Sequence, residues 1–163
     1  MTPEEQISFL LTELHIGSNQ DILEINCKNT KGLLGNEFAE ICHYIGTDSD
    51  VIFIDKMRNS KHDVTRCEFF HIEPDDLKFQ NLVFNCVFMI MNGKKEDIKR
   101  IYGTLKESLR VVKNDGKVGI FNLSNEELIR LQAYATKHFT HIEMNSKENK
   151  EGKFNIVIKK LMR

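Results

Sequence analysis

The chain has 163 residues, 40% hydrophobic and 29% charged, the profile of an ordinary globular chain long enough to close a core. Lys and Arg total 23 against 24 Asp and Glu, a net charge of -1, so the basic surplus of a duplex-DNA binder is missing and nucleic acid is not indicated. No apolar run approaches the ~18 residues needed to cross a bilayer.

The elements follow in chain order. Thr2 is an N-cap and Pro3 a first helical residue for a helix over Pro3–His15, with Ile7, Leu10, Leu11 and Leu14 on one face. The early acids Glu4 and Glu5, without a basic segment, do not read as a secretory signal. Asp21–Ile25 reads as a short buried strand, and Cys27–Lys31 as polar and irregular. Leu33, Leu34, Phe38, Ile41 and Cys42 form a helical stripe ending near His43, followed by a weak strand over His43–Gly46 that ends in Thr47-Asp48. Ser49–Lys61 fits either a strand at Val51–Ile54 or a short helix, and both remain open.

Arg66–Ile72 is a third strand, stopped by Glu73-Pro74. Asn81–Met91 is the most apolar stretch and predicts a central strand buried on both faces. Glu96–Val112 is the clearest helix, Asn114-Asp115-Gly116 a turn, and Lys117–Phe121 a strand. Ser124 with Glu127 makes a capping box for a further helix. His141–Met144 and Phe154–Lys160, joined by a polar turn, predict a terminal hairpin. Strand–helix alternation predicts an α/β three-layer sandwich: a mostly parallel sheet with an antiparallel C-terminal strand. The expected organisation is one domain over 1–163, with an N-terminal helix in 1–16 and a core in 20–160.

Cys27, Cys42, Cys67 and Cys86 are widely spaced, with no C-x-x-C, which predicts buried, reduced thiols and a cytoplasmic protein. The histidines, His15, His43, His62, His71, His138 and His141, show no metal-ligand spacing, so no metal is expected. Lys94, Lys95, Lys99 and Arg100 read as a solvated basic face.

Four segments, in order, carry a family resemblance. Leu23-Glu24-Ile25-Asn26-Cys27-Lys28-Asn29-Thr30 is similar to an L-E-I-G-C-G-T-G loop after a first strand. Gly46-Thr47-Asp48-Ser49 resembles G-x-D-x-S at the end of a second. Glu73-Pro74-Asp75-Asp76-Leu77-Lys78-Phe79 resembles D-A-x-D-L-P-F after a third, and Leu109–Val118 resembles the R-V-L-K-P-G-G stretch leading into a fifth. Together they make the chain resemble the class I S-adenosylmethionine-dependent methyltransferase family, with its Rossmann-like fold. The resemblance implies S-adenosylmethionine as cofactor and methyl transfer to an unidentified acceptor.

It also implies a cofactor site. Glu24 matches the first-loop acid, Asp48 the acid that accepts from the ribose hydroxyls, and Glu73 or Asp75 the acid near the adenine. Asp55 is the rival to Asp48 if Val51–Ile54 is the second strand. Asn85 and Cys86 fall where substrate-side residues are found. The departures are equally plain: Asn26, Lys28 and Thr30 stand where the family has glycines. Each adds a side chain where the cofactor normally lies on bare backbone, and Lys and Thr are costly at positive φ. Gly32 and Gly35, expected inside the following helix, do not restore the pattern. The alternative implied is a non-catalytic methyltransferase-like module, a pseudoenzyme that scaffolds a protein partner. A nucleotide-binding Rossmann domain of another kind is a third reading, opposed by the terminal antiparallel strand.

Overall fold

A computed structural model describes residues 2–61 and 65–162; His62 lies outside them. The order of elements is α1 (Pro3–Glu13), β1 (Asp21–Ile25), α2 (Leu34–Ala39), β2 (His43–Asp48), α3 (Val51–Ser60), β3 (Cys67–His71), β4 (Phe84–Ile90), α4 (Ile98–Val111), β5 (Val112–Leu123), α5 (Asn125–His138), β6 (Ile142–Glu148) and β7 (Phe154–Lys160). The seven strands form one sheet in the order β3-β2-β1-β4-β5-β7-β6. Only β7 runs against the others, between β5 and β6. This is the expected mostly parallel α/β sandwich.

Alternation along the central strands sends side chains into two cores. Ile22 of β1 and Cys86 and Phe88 of β4 meet Leu10 of α1, Phe38 of α2 and Ile54 of α3. Leu23 and Ile25 of β1 and Val87 and Met89 of β4 meet Ile101 and Leu105 of α4 and Leu131 of α5. The sheet therefore lies between α1–α3 and α4–α5. Each fully buried Leu or Phe contributes roughly 1.5–3 kcal/mol of transfer free energy, which fixes the register of both faces.

The helix starts follow the predicted chemistry. The Thr2 hydroxyl accepts from the Glu5 N–H at 3.1 Å, and Ser124 and Glu127 close a reciprocal capping box. The Arg110 guanidinium donates to the carbonyls of Leu77 at 2.7 Å and Phe79 at 2.8 Å, tying the β3–β4 connection to α4.

Two expectations change, and one open alternative, with the Asp55 candidate that hung on it, is resolved. The second helix stops at Ala39, because the chain must return for β2 to pair with β1 from Asp21↔His43 onward. Within Ser49–Lys61 the helical alternative holds: Val51–Ser60 is α3, capped by Asp50, whose carboxylate accepts from the Phe53 N–H at 3.0 Å. Asp55 is thereby an exposed residue of α3, and the strand that ends in an acid is β2 with Asp48. Asn114-Asp115-Gly116 makes no free turn: α4 passes directly into β5, and these residues form an irregularity in it, with Asp115 at φ 64° and the β4–β5 register shifting between Phe84 and Cys86. Gly116 is required there, since a Cβ would lie 2.7 Å from the Asn85 carbonyl oxygen.

Candidate cofactor site

In a parallel α/β sheet, ligands bind beyond the carboxyl ends of the strands. The ends of β1, β2 and β4 meet at the segment 26–31. Asn26 leaves β1 at φ 55°, ψ 49°, and Cys27–Thr30 then make one turn of 3-10 helix. Lys31 closes it at φ 57°. The left-handed positions are therefore Asn26 and Lys31, whereas Lys28 and Thr30 are helical and escape the expected penalty. Gly32, at φ 66°, precedes α2 rather than lying within it, and only Gly35 is helical.

The polar groups of this segment are engaged within the chain. Glu24 is fully buried; its Oε2 accepts from the Thr30 hydroxyl at 2.6 Å and its Oε1 from the Tyr44 hydroxyl at 2.6 Å. Burial pushes the Glu24 carboxyl up from 4.5 to about 7, opposed by the hydrogen bonds from Thr30 and Tyr44 and assisted by the nearby Asp48 charge. Asp48 is only 6% exposed. Its Oδ2 accepts from the Lys28 N–H at 3.0 Å and its Oδ1 from the Asp50 N–H at 2.9 Å. The Lys28 ammonium reaches Asp50 Oδ2 at 2.6 Å, an exposed pair that raises the lysine pKa and lowers that of the aspartate.

The opposite side of the segment is tied to β4. The Asn26 amide lies 3.3 Å from the Met89 sulfur. The Asn29 amide donates to the Ile90 carbonyl at 2.8 Å, and Asn92 donates to Asn29 at 3.2 Å. The segment thus spans the strand ends as a hydrogen-bonded bridge. Sequence reasoning missed Tyr44, Asn29, Asp50 and Asn92 as members of this network. The one local signal was Asp50, an acid directly before an apolar run, which is an N-cap pattern.

The remaining expected residues lie apart from it. Glu73 is exposed and ion-paired with Arg100 of α4. Asp75 is exposed, its Cβ packed where a side chain on Gly103 would stand. Asn85 sits at the start of β4, at the opposite, amino end of the strands, and accepts from the Asp21 N–H at 2.9 Å. Cys86 follows it, 1% exposed, with burial pushing its thiol pKa up. Neither faces a substrate beyond the strand ends. The carboxyl ends of β4 and β5 open instead on a cleft of about 470 Å³ whose lining includes Met91, Lys94, Lys95, Glu96, Asn122 and Arg130. Burial raises the pKa of Glu96 there, opposed by Arg100. Among the described residues no cluster of His, Cys, Asp or Glu could hold a metal ion, and no helix is long and apolar enough to cross a membrane.

The fold and the position of this segment define a class. No protein-family model matches the chain, and no curated protein matches it in sequence. Many solved structures match it in fold. The N-methyltransferase NodS from Bradyrhizobium japonicum is 11% identical, with a TM-score of 0.70 over 98% of this chain and 94% of that one. The phosphoethanolamine N-methyltransferase 1 of Haemonchus contortus, solved with phosphoethanolamine and S-adenosylhomocysteine, is 13% identical, with a TM-score of 0.77 over 99% of this chain and 43% of that one. A chain from the complex of the Haloferax volcanii Trm112 methyltransferase activator is 12% identical, with a TM-score of 0.73 over 96% of this chain and 89% of that one. The fold is that of the class I S-adenosylmethionine-dependent methyltransferases.

Proposed function

We propose that this chain is a non-catalytic methyltransferase-like protein that works as an interaction scaffold. One observation carries the reading: the Asp48 carboxylate, the group that would receive a ribose, is 6% exposed and holds the Lys28 and Asp50 N–H groups on its two oxygens. The carboxylate is nearly closed to solvent, so a ribose could reach its remaining lone pairs only by reopening the segment 26–31. Asn26, Lys28 and Thr30 stand at the glycine positions of the family's loop, and their side chains are engaged within the chain by Met89, Asp50 and Glu24. These residues do not fit S-adenosylmethionine, so no methyl-transfer step is drawn for them. The complex with Trm112 among the similar structures supports a protein partner as a use of this fold. The four cysteines are free and buried, which supports a reducing, cytoplasmic setting.

A methyltransferase acting on an unidentified acceptor is the second reading. It is favoured by the acid kept at the end of β2, Asp48, and by Glu73 and Asp75 after β3. Calorimetric titration with S-adenosylmethionine and S-adenosylhomocysteine separates the two. The scaffold reading expects no heat and no thermal shift at millimolar ligand. Micromolar binding that is lost in Asp48→Ala would overturn it and restore the enzyme.

A further inference from the structure

Among the described residues the sheet has two edges, β3 and β6, and β6 has β7 as its only neighbour. Natural proteins blunt such edges with prolines, bulges, short length or charged side chains. β6 has neither proline nor bulge, and its charges, Glu143, Lys147 and Glu148, are of both signs, so they can be paired as well as repel. It is seven residues long, contains no proline or glycine, and pairs with β7 without a register shift. Glu143, Asn145 and Lys147 are all exposed, and the Lys147 ammonium points toward α1, 3.7 Å from the Glu13 carboxylate.

The backbone of β6 has a defined orientation. The Leu161 N–H donates to the His141 carbonyl at 2.8 Å and the Asn149 N–H to the Lys153 carbonyl at 2.7 Å. These bonds bracket the ladder and make Ile142–Lys160 and Glu148–Phe154 non-hydrogen-bonded pairs. Ile142, Met144, Ser146 and Glu148 therefore turn their N–H and C=O groups to the open edge, and Glu143, Asn145 and Lys147 turn theirs to β7.

We propose that β6 pairs antiparallel with β6 of a second copy, about a two-fold axis through Asn145, so that one sheet runs across a homodimer. The parity of the edge requires the axis to pass through a residue rather than between two. An axis through Met144 sets Glu143 against Asn145, and one through Ser146 sets Lys147 against Asn145. The axis through Asn145 pairs all seven residues and sets Glu143 opposite Lys147 twice. It opposes Met144 with Ser146 as hydrogen-bonded pairs and forms about eight backbone hydrogen bonds. Opposite charges face each other at non-hydrogen-bonded positions, where side chains approach most closely. The Glu13 contact of Lys147 is long at 3.7 Å and the lysine itself is exposed, so it can exchange for Glu143 of the second copy. A two-fold contact of this kind is isologous and closes at two copies. It stands at the far edge of the sheet from Asp48 and is independent of cofactor binding.

The test is a cysteine at the axis. In Asn145→Cys the two thiols face each other on Cα atoms about 4.5 Å apart, within disulfide range. The native cysteines are buried, so the parent protein is the unlinked control. With oxidised glutathione, N145C is expected to give a disulfide-linked dimer much faster than Ser60→Cys at the exposed end of α3. In sedimentation equilibrium the parent protein should dimerise, Glu143→Lys and Lys147→Glu should each weaken the dimer at least tenfold, and the double exchange should restore it. Circular dichroism checks that every variant is folded. A parent protein that stays monomeric at millimolar concentration overturns the proposal. So does a dimer whose folded N145C variant links no faster than S60C, or one that ignores the charge exchanges.

Discussion

The Tyr44 hydroxyl donates to Glu24 Oε1 across 2.6 Å, joining β2 to β1 through two side chains with almost no access to water. The parallel register sets Tyr44 beside Ile22 and Glu24 beside Gly46, so the tyrosine reaches along the sheet to the carboxylate. Gly46 leaves the room: a Cβ there would stand 2.7 Å from the Tyr44 oxygen.

Removing that hydroxyl alone isolates its contribution. Tyr44→Phe keeps the stacking on Phe38, whose ring centroid is 6.2 Å away, and leaves Glu24 with the Thr30 donor only. The expected loss is about 1–3 kcal/mol, the range for an unsatisfied buried acceptor, read as a lower urea midpoint with an unchanged m-value.

Glu24 also makes stability depend on pH. Its folded pKa of about 7 lies above the ordinary 4.5, so the folded chain holds a proton that the unfolded chain has released. Its contribution is full below pH 4.5 and is lost as pH rises through 7. Glu24→Gln should flatten this part of the profile in urea melts taken from pH 5 to 8. A slope unchanged by the substitution would assign the dependence to another group.

Gly116→Ala probes the passage from α4 into β5. The added methyl meets the Asn85 carbonyl oxygen and a Val112 methyl, each at 2.7 Å. Overpacking of this kind costs about 1–3 kcal/mol. A fall in thermal midpoint reports it, while Gly93→Ala gives the contrast of a site with open space around it but a φ of 83°.

Ser124→Ala removes one half of the box that starts α5. The Glu127 N–H loses its acceptor at 3.1 Å, at a cost of about 1 kcal/mol by denaturant titration.

Much of this architecture was legible because long periodic segments carry their own evidence. Ile98, Ile101, Leu105 and Leu109 mark α4, and Ser124 with Glu127 marks the start of α5. Val51–Ile54 was ambiguous because four consecutive apolar residues suit a strand or a helix, and only the Asp50 cap distinguishes them. Asn114-Asp115-Gly116 has turn chemistry, yet positive φ at Asp115 serves a strand irregularity equally well. The site was legible as positions and not as bonds. Glu24 and Asp48 do end or adjoin the central strands, as expected. That Tyr44 and the Lys28 amide would be their partners depends on the pairing of β1 with β2 and on the tight turn after Asn26, which no local pattern records.

The position of β7 has a consequence for how the protein is made. β6 emerges from the ribosome before β7, yet β7 is the one strand that can join it to the rest of the sheet. Until residues 154–160 are available, β5 and β6 both present open ladders to the surroundings. The strand made after β6 is also among the most deeply placed, with Ile156 and Ile158 fully buried. Closure of the sheet therefore waits for β7, and a nascent chain stalled short of residue 160 keeps both ladders open.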